Sequence, residues 1–330
     1  MDNLDILELE KERKVILVTG GVGFIGSHLC KKLLEDSKNV VYCLDNLITG
    51  KMTNIKSLVS NKRFHFILQN VVHLLDDEKV KSIEKIDEIY HLACIASPDK
   101  YMVYSIETLD TCFIGTRNIL ELAKKHNSKV LFSSTSEVYG DPLVNPQPET
   151  YYGNVNTVGC RSCYDEGKRV AETLIYEYRK KYGINAKIIR IFNTYGPNMD
   201  INDGRVITNF IKQIMRKEVL KIYGNGLQTR SFCYISDLIE GILSMMKSDE
   251  NGPINLGNPY CEFTLLELVK KMEEITNQEL NVLFLNSTEN DPQQRRPDIT
   301  LAREKLCFEP MIDLKEGLIK TMEYFMSNNV

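Results

Sequence analysis

The sequence predicts an α/β fold: a doubly wound parallel sheet followed by a smaller C-terminal lobe. Three observations predict it. Apolar runs rich in β-branched residues alternate with stretches of helical periodicity up to about residue 195, and such runs are strands buried on both faces. The first run leads straight into a glycine-rich turn and then a helix. Past about residue 195 the alternation loosens and helical segments dominate. The expected division is residues 1–195 for the sheet domain and 196–330 for the second lobe, with some later segments returning to the first domain.

Val15-Ile16-Leu17-Val18-Thr19 is the first strand. Gly20, Gly23 and Gly26 punctuate the turn after it, and Phe24 and Ile25 lead into a helix with apolar positions Leu29, Cys30, Leu33 and Leu34. Glycines allow a tight turn and close approach of a pyrophosphate, and the helix end supplies NH groups and a positive dipole end. Strand, turn and helix in that order form the dinucleotide fingerprint of a Rossmann fold. The second strand, Val40 to Leu44, ends in Asp45. A carboxylate there accepts from a ribose 2′-OH and repels a 2′-phosphate, which selects NAD over NADP. Asn46, Thr49 and Gly50 belong to a loop that could close over the adenosine.

Phe64 to Leu68 is a third strand, and Asn70 and Val71 after it are expected near the adenine. Leu74 to Lys85 is highly charged and reads as a surface helix with a loop. Ile89 to Ala93 is a fourth strand that brings Leu92 to the cofactor, followed by a loop from Cys94 to Tyr104. Ile106 to His126 reads as one long helix, and Val130 to Ser133 as a fifth strand running into Ser134-Thr135-Ser136-Glu137. Asp141 to Asn156 is a loop with three prolines, and Tyr164 to Tyr182 is a helix ended by Gly183. Ala186 to Phe192 is a sixth strand, ending at Asn193. Beyond it lie helices at 206–217, 236–247, 265–276 and 314–326, and short strands at 220–223 and 230–234.

Composition excludes several functions. The net charge is −4 with no basic block, which argues against a nucleic-acid partner. No apolar run approaches the roughly 20 residues of a membrane span. Residues 1–14 are acidic and mixed in charge, unlike a signal or transit peptide. Nine scattered cysteines, an odd number, fit reduced thiols in the cytoplasm. Cys160 and Cys163 form a single C-x-x-C, and with no second pair and no nearby His no metal site is expected.

The candidate chemistry centres on Tyr164 and Lys168. Four apart on a helix, they lie one above the other. The ammonium favours the phenolate, so the phenol is expected to titrate closer to neutrality. A phenolate in a dry pocket is a general base for a sugar hydroxyl. Thr135 can hold that hydroxyl, and Glu137 adds a carboxylate.

The glycine pattern, Asp45, Tyr164 and Lys168 resemble the extended short-chain dehydrogenase/reductase superfamily. Longer strings are more specific. They include Ser134-Thr135-Ser136-Glu137-Val138-Tyr139-Gly140, Arg161-Ser162-Cys163-Tyr164-Asp165-Glu166-Gly167-Lys168, Arg190-Ile191-Phe192-Asn193, Gln228-Thr229-Arg230-Ser231-Phe232 and Arg296-Pro297-Asp298-Ile299. Together they resemble the UDP-glucuronic acid decarboxylase (UDP-xylose synthase) family over about residues 14–326.

The resemblance implies that bound NAD takes a hydride from C4 of UDP-glucuronic acid while Tyr164 takes the O4 proton. The β-keto acid then loses CO2, and re-reduction gives UDP-xylose. It implies that Thr135 bonds O4 and that Glu137 lies near C5 and the carboxylate. Arg205, Arg230, Arg295 and Arg296 stand in or beside the family strings as cations for the diphosphate and carboxylate. The sequence does not choose between Arg295 and Arg296. Asn193 is also expected near the diphosphate. The resemblance implies a homodimer, with the two long helices pairing across a two-fold axis. Alternatives are a 4,6-dehydratase or epimerase on the same scaffold, or a non-catalytic nucleotide-binding protein. A dehydratase of this kind carries an Asp between Thr and Glu, where this chain has Ser136. Departures from the family pattern are Asn70 for Asp, Ile95 for Pro, Asp110 for Lys, Cys112 for Asn and Cys160 for Pro.

Overall fold

A computed structural model describes residues 13–286 and 293–328. The reading of the amino-terminal residues 1–12 lies outside the described residues. Six strands follow the expected order: β1 (Lys14–Thr19), β2 (Asn39–Asp45), β3 (Phe64–Leu68), β4 (Glu88–His91), β5 (Lys129–Thr135) and β6 (Ala186–Ile191). A seventh, Ile254–Leu256, pairs in parallel with β6. The sheet runs from that strand through β6, β5, β4, β1 and β2 to β3. β1 pairs in parallel with both β2 and β4, so the winding reverses direction at β1. In such sheets ligands bind outside the carboxyl ends of the strands at the reversal.

The core of the first half follows from the apolar runs. Leu17, Ile89, Val130 and Phe132 are buried with Ile119, Leu120, Ala171 and Ile175 from two helices. Each of these side chains larger than alanine contributes roughly 1.5–3 kcal/mol through burial. Buried polar groups are tied down. The Asn118 amide donates to the carbonyls of Val71 (3.0 Å) and Val72 (2.8 Å). The Arg63 guanidinium takes the Asp36 and Asn39 carbonyls and that of Leu34, which caps the first helix where carbonyls lack intrahelical donors.

The sequence reading and the structure differ in several elements. The expected helix 106–126 is three segments: Ser105–Asp110, a π-helical turn Thr111–Gly115, and Thr116–His126. A short helix, Pro98–Tyr101, interrupts the expected 94–104 loop. The charged stretch 74–85 holds a 3-10 helix, Val71–Asp76, and one turn of α-helix, Glu78–Lys81. The expected strand 230–234 is two, Thr229–Ser231 and Cys233–Tyr234.

Two compact units emerge. The first holds the chain up to Ile95, Ile106–Ser133 and Val170–Ile188; the second holds Ala96–Ser105, Ser134–Arg169 and the chain from Ile189. The chain re-enters the first unit twice, both times before the expected boundary near residue 195. The reason is that β5, β6 and the helix Ser162–Tyr182 each contribute one end to the second unit.

Candidate active site

In the first unit the glycine turn is shaped by backbone packing. Gly20 has φ +71°, and a Cβ there would lie 2.8 Å from the Ala93 amide nitrogen. A Cβ on Gly21 would meet Cys43 Sγ at 2.5 Å, and one on Gly26 would overlap the Gly20 carbonyl. Gly23 is the N-cap of the helix Phe24–Leu33, and no side chain caps it. The amino end of that helix is thus served by backbone alone, as an anion-binding turn requires. Ile25 stands in the first turn of that helix.

Asp45 ends β2 and is buried. One carboxylate oxygen accepts the Val22 amide (3.1 Å) and the other the Leu47 amide (2.8 Å). Burial pushes its pKa up, and these amides pull it back. A Cβ on Gly50 would lie 3.2 Å from both carboxylate oxygens. Asn46 Oδ1 accepts the Ile48 amide, and Thr49 is exposed. Asn70 Oδ1 accepts the Val72 amide (3.0 Å) and so caps the 3-10 helix in which Val71 is buried. The Leu92 amide donates to the Thr19 carbonyl. Gly20, Asp45, Asn70, Val71 and Leu92 therefore all stand at carboxyl ends of β1 to β4, as the sequence reading expects.

The second unit holds the groups with chemical potential. Thr135 ends β5 and its hydroxyl accepts the Glu137 amide at 3.2 Å. Glu137 Oε2 receives Arg161 Nη2 at 2.7 Å and Arg295 Nη2 at 3.3 Å. Arg295 is buried and also donates to the carbonyls of Ser136 and Gly140. Burial would raise the Glu137 pKa, but these guanidinium groups outweigh it and hold the carboxyl down at about 2. The Glu137 side chain is 18% exposed, so this is an anion locked in a mostly closed setting.

Tyr164 and Lys168 are both buried, with Lys168 Nζ 5.9 Å from the phenol ring centroid. Tyr101 stacks on Tyr164 with centroids 5.0 Å apart and planes 2° from parallel. Arg205 pairs with Asp203 and donates to the Ala96 carbonyl at 2.8 Å. Arg230 is paired in register with Arg295 across two short strands. Arg296 turns away to Glu262 at 3.4 Å. The Asn193 carbonyl accepts the Cys233 amide.

The structure thus joins Glu137 to Arg295 rather than to Arg296. It adds three residues the sequence reading did not single out: Arg161, Asp165 and Tyr101. Arg161 and Asp165 flank Tyr164 in its own string, which was their only signal. Among the described residues, no group of three or more His, Cys, Asp or Glu is placed to hold a metal ion. No helix among them is long and apolar enough to cross a membrane.

Residues 16–257 match the NAD dependent epimerase/dehydratase family. The chain is 51% identical over 303 residues to UDP-glucuronic acid decarboxylase 5 of Arabidopsis thaliana, covering 92% of this chain and 86% of that one. It is 48% identical over 316 residues to UDP-glucuronic acid decarboxylase 1 of Danio rerio, covering 96% and 73%. This chain belongs to the UDP-glucuronic acid decarboxylase family. The solved structure of UDP-glucuronic acid 4-epimerase from Bacillus cereus, in complex with UDP-glucuronic acid and NAD, matches with a TM-score of 0.86 at 32% identity, covering 95% of this chain and 99% of that one.

Departures from the decarboxylase family pattern fall at distinct places. Ile95 and Cys112 are buried, and Asp110 is half-buried at the end of the segment before the π turn. Cys112 Sγ lies 3.5 Å from Cys94 Sγ. Cys160 is exposed, in the loop before the helix of Tyr164.

Proposed function

We propose that this chain binds NAD and converts UDP-glucuronic acid to UDP-xylose and CO2. The observation that carries the reading is Glu137, a carboxylate kept ionised by two guanidinium groups next to Thr135. A dehydratase needs an acid beside its threonine to protonate a departing hydroxyl. Here that position is Ser136, and Glu137 is locked as an anion.

The first unit is assigned the cofactor and the second the substrate. Gly20, Gly23 and Gly26 leave room for a pyrophosphate, with Phe24 and Ile25 opening the helix that faces it. Asp45 is assigned the adenosine ribose, Asn46, Thr49 and Gly50 the loop over it, and Asn70, Val71 and Leu92 the rest of the cofactor wall. Bound NAD supplies reversible hydride acceptance. Tyr164 takes the O4 proton and later returns it, with the Lys168 ammonium favouring the phenolate. Thr135 holds O4. Once C4 is a ketone, the C5–C6 bond breaks, CO2 departs and the electrons pass into the enolate, which gains a proton from water at C5 before C4 is reduced again. The fixed charge of Glu137 disfavours a carboxylate beside it, and the loss of CO2 removes that charge. Arg205, Arg230 and Asn193 are assigned the diphosphate, and Arg295, rather than Arg296, the acidic end of the sugar.

A homodimer is supported by exposed apolar residues on the long helices. Ile106 and Leu109 stand out from Ser105–Asp110, Phe113 from the π-helical turn after it, and Val170 and Tyr176 from Ser162–Tyr182. Assignment to the cytoplasm rests on the nine cysteines, none of them disulfide-bonded.

The test is incubation with UDP-glucuronic acid and NAD+, following CO2 and the nucleotide sugar by NMR. Equal amounts of CO2 and UDP-xylose are expected. UDP-galacturonic acid without CO2 would instead establish an epimerase, and no turnover would leave a binding protein.

A further inference from the structure

Asp165 directly follows Tyr164, in the first turn of the helix Ser162–Tyr182. It is only 8% exposed, and its Oδ1 is buried with no hydrogen-bond partner. Glu137, in contrast, takes a bond from each of Arg161 and Arg295. Two carboxyls therefore share one charged neighbourhood, and the two guanidinium groups are turned to one of them. A buried carboxylate oxygen without a donor is unfavourable, whereas a neutral carboxylic acid tolerates that setting better.

The charged surroundings of Asp165 come from several elements. Glu137 acts from the 3-10 helix after β5, Arg161 and Glu166 from its own stretch of chain, and Arg295 from the strand Gln294–Arg295. The buried Tyr101 hydroxyl acts from Pro98–Tyr101, and Arg230 acts on Glu137 from Thr229–Ser231.

We propose that Asp165 is a specificity-determining positioning residue that works in its neutral form, leaving the charge of Arg161 and Arg295 to Glu137 and to the substrate carboxylate. With Asp165 neutral, the set Glu137, Asp165, Arg161 and Arg295 carries one net positive charge; with Asp165 ionised it carries none. Only the first state favours an anion. Burial, and then the Glu137 charge, push the Asp165 pKa up to about 7, against about 2 for Glu137. Two carboxyls driven apart in this way mark distinct roles. The helix amino end favours ionisation of Asp165, but it is a smaller influence than burial. The proposal rests on the assignment of a sugar carboxylate to this cluster.

The experiment is calorimetric binding to the full NAD-loaded chain from pH 6 to 8.5, with UDP-glucuronic acid and with UDP-glucose, which lacks the carboxylate. For the wild type, Kd for the acid is expected to rise roughly tenfold across that range, as a site titrating near 7 requires, while Kd for UDP-glucose moves less than about twofold. In Asp165→Asn, which holds the neutral charge, the rise for the acid shrinks to less than about twofold. A flat wild-type profile, or an equal rise for both sugars, overturns the proposal without needing the variant. An unchanged rise in a folded Asp165→Asn protein overturns it as well. Because binding is read, a chain that shows this profile yet releases no CO2 sinks the decarboxylase reading and leaves this one standing.

Discussion

The glycine turn and the arginine cluster, the two sites proposed for anions, are built by opposite means. At the turn, Gly20, Gly21 and Gly26 sit where a single added carbon would strike backbone or a neighbouring thiol, and the helix beyond is capped by no side chain. Binding capacity there comes from missing atoms and from amides already aligned. The cluster is the reverse. Glu137, Arg161, Arg295 and Asp165 are bulky, ionisable and mostly buried, and the two carboxyls depend on their charged neighbours for their protonation state. One arrangement is a backbone shape, proposed to take the pyrophosphate of a dinucleotide. The other is a balance of charges, proposed to suit the acid of a sugar. The turn should therefore fail sterically and the cluster electrostatically.

The largest effect should separate chemistry from binding. Tyr164→Phe keeps the stack on Tyr101 but removes the proton acceptor, and kcat should fall by about 10²–10⁴. Cofactor affinity, followed by fluorescence titration, should change far less. Equal losses in both would blur the distinction between the two regions. Next is Gly26→Ala, whose Cβ would overlap the Gly20 carbonyl. Overpacking of this kind costs about 1–3 kcal/mol, and NAD affinity should drop at least about tenfold. A variant that still bound NAD normally would show that the turn has slack.

A smaller effect lies in acid. Glu137 is held at about 2, so its stabilisation is present above the ordinary carboxylate range and disappears as pH falls from there toward 2. Arg161→Ala should move this acid-unfolding limb to higher pH and destabilise the protein by about 1–3 kcal/mol at pH 7, the usual worth of a charge-assisted bond. Calorimetry across pH would read both, and the same change should leave NAD binding intact. The smallest effect on catalysis concerns the outer faces. Phe113→Glu should give the mass of one chain by light scattering while its own CO2 release persists.

The turn was readable because its parts are contiguous: strand, glycines and helix occupy one short stretch, and the pattern has a mechanical reason. The cluster was only partly readable. Arg161 and Glu137 are 24 residues apart, and Arg295 and Glu137 are 158 apart. No local period links such positions. The sequence reading left Arg295 and Arg296 undecided, yet neighbours in extended chain point to opposite sides. The structure accordingly buries Arg295 against Glu137 and leaves Arg296 half-buried with Glu262. The seventh strand escaped notice because three residues, Ile254–Leu256, are too few to display a pattern. The π turn at Thr111–Gly115 hid inside a helix whose apolar spacing tolerates one wider turn.

The guanidinium groups around Glu137 have a bearing on turnover as well as on recognition. Beyond Glu137, their attraction is proposed to reach the acid of the sugar, and the reaction deletes that acid. On the proposed assignment a pentose with no carboxylate leaves them only Glu137 to hold, so the grip on the sugar loosens as a direct result of the chemistry. Product inhibition should accordingly be weak relative to substrate affinity.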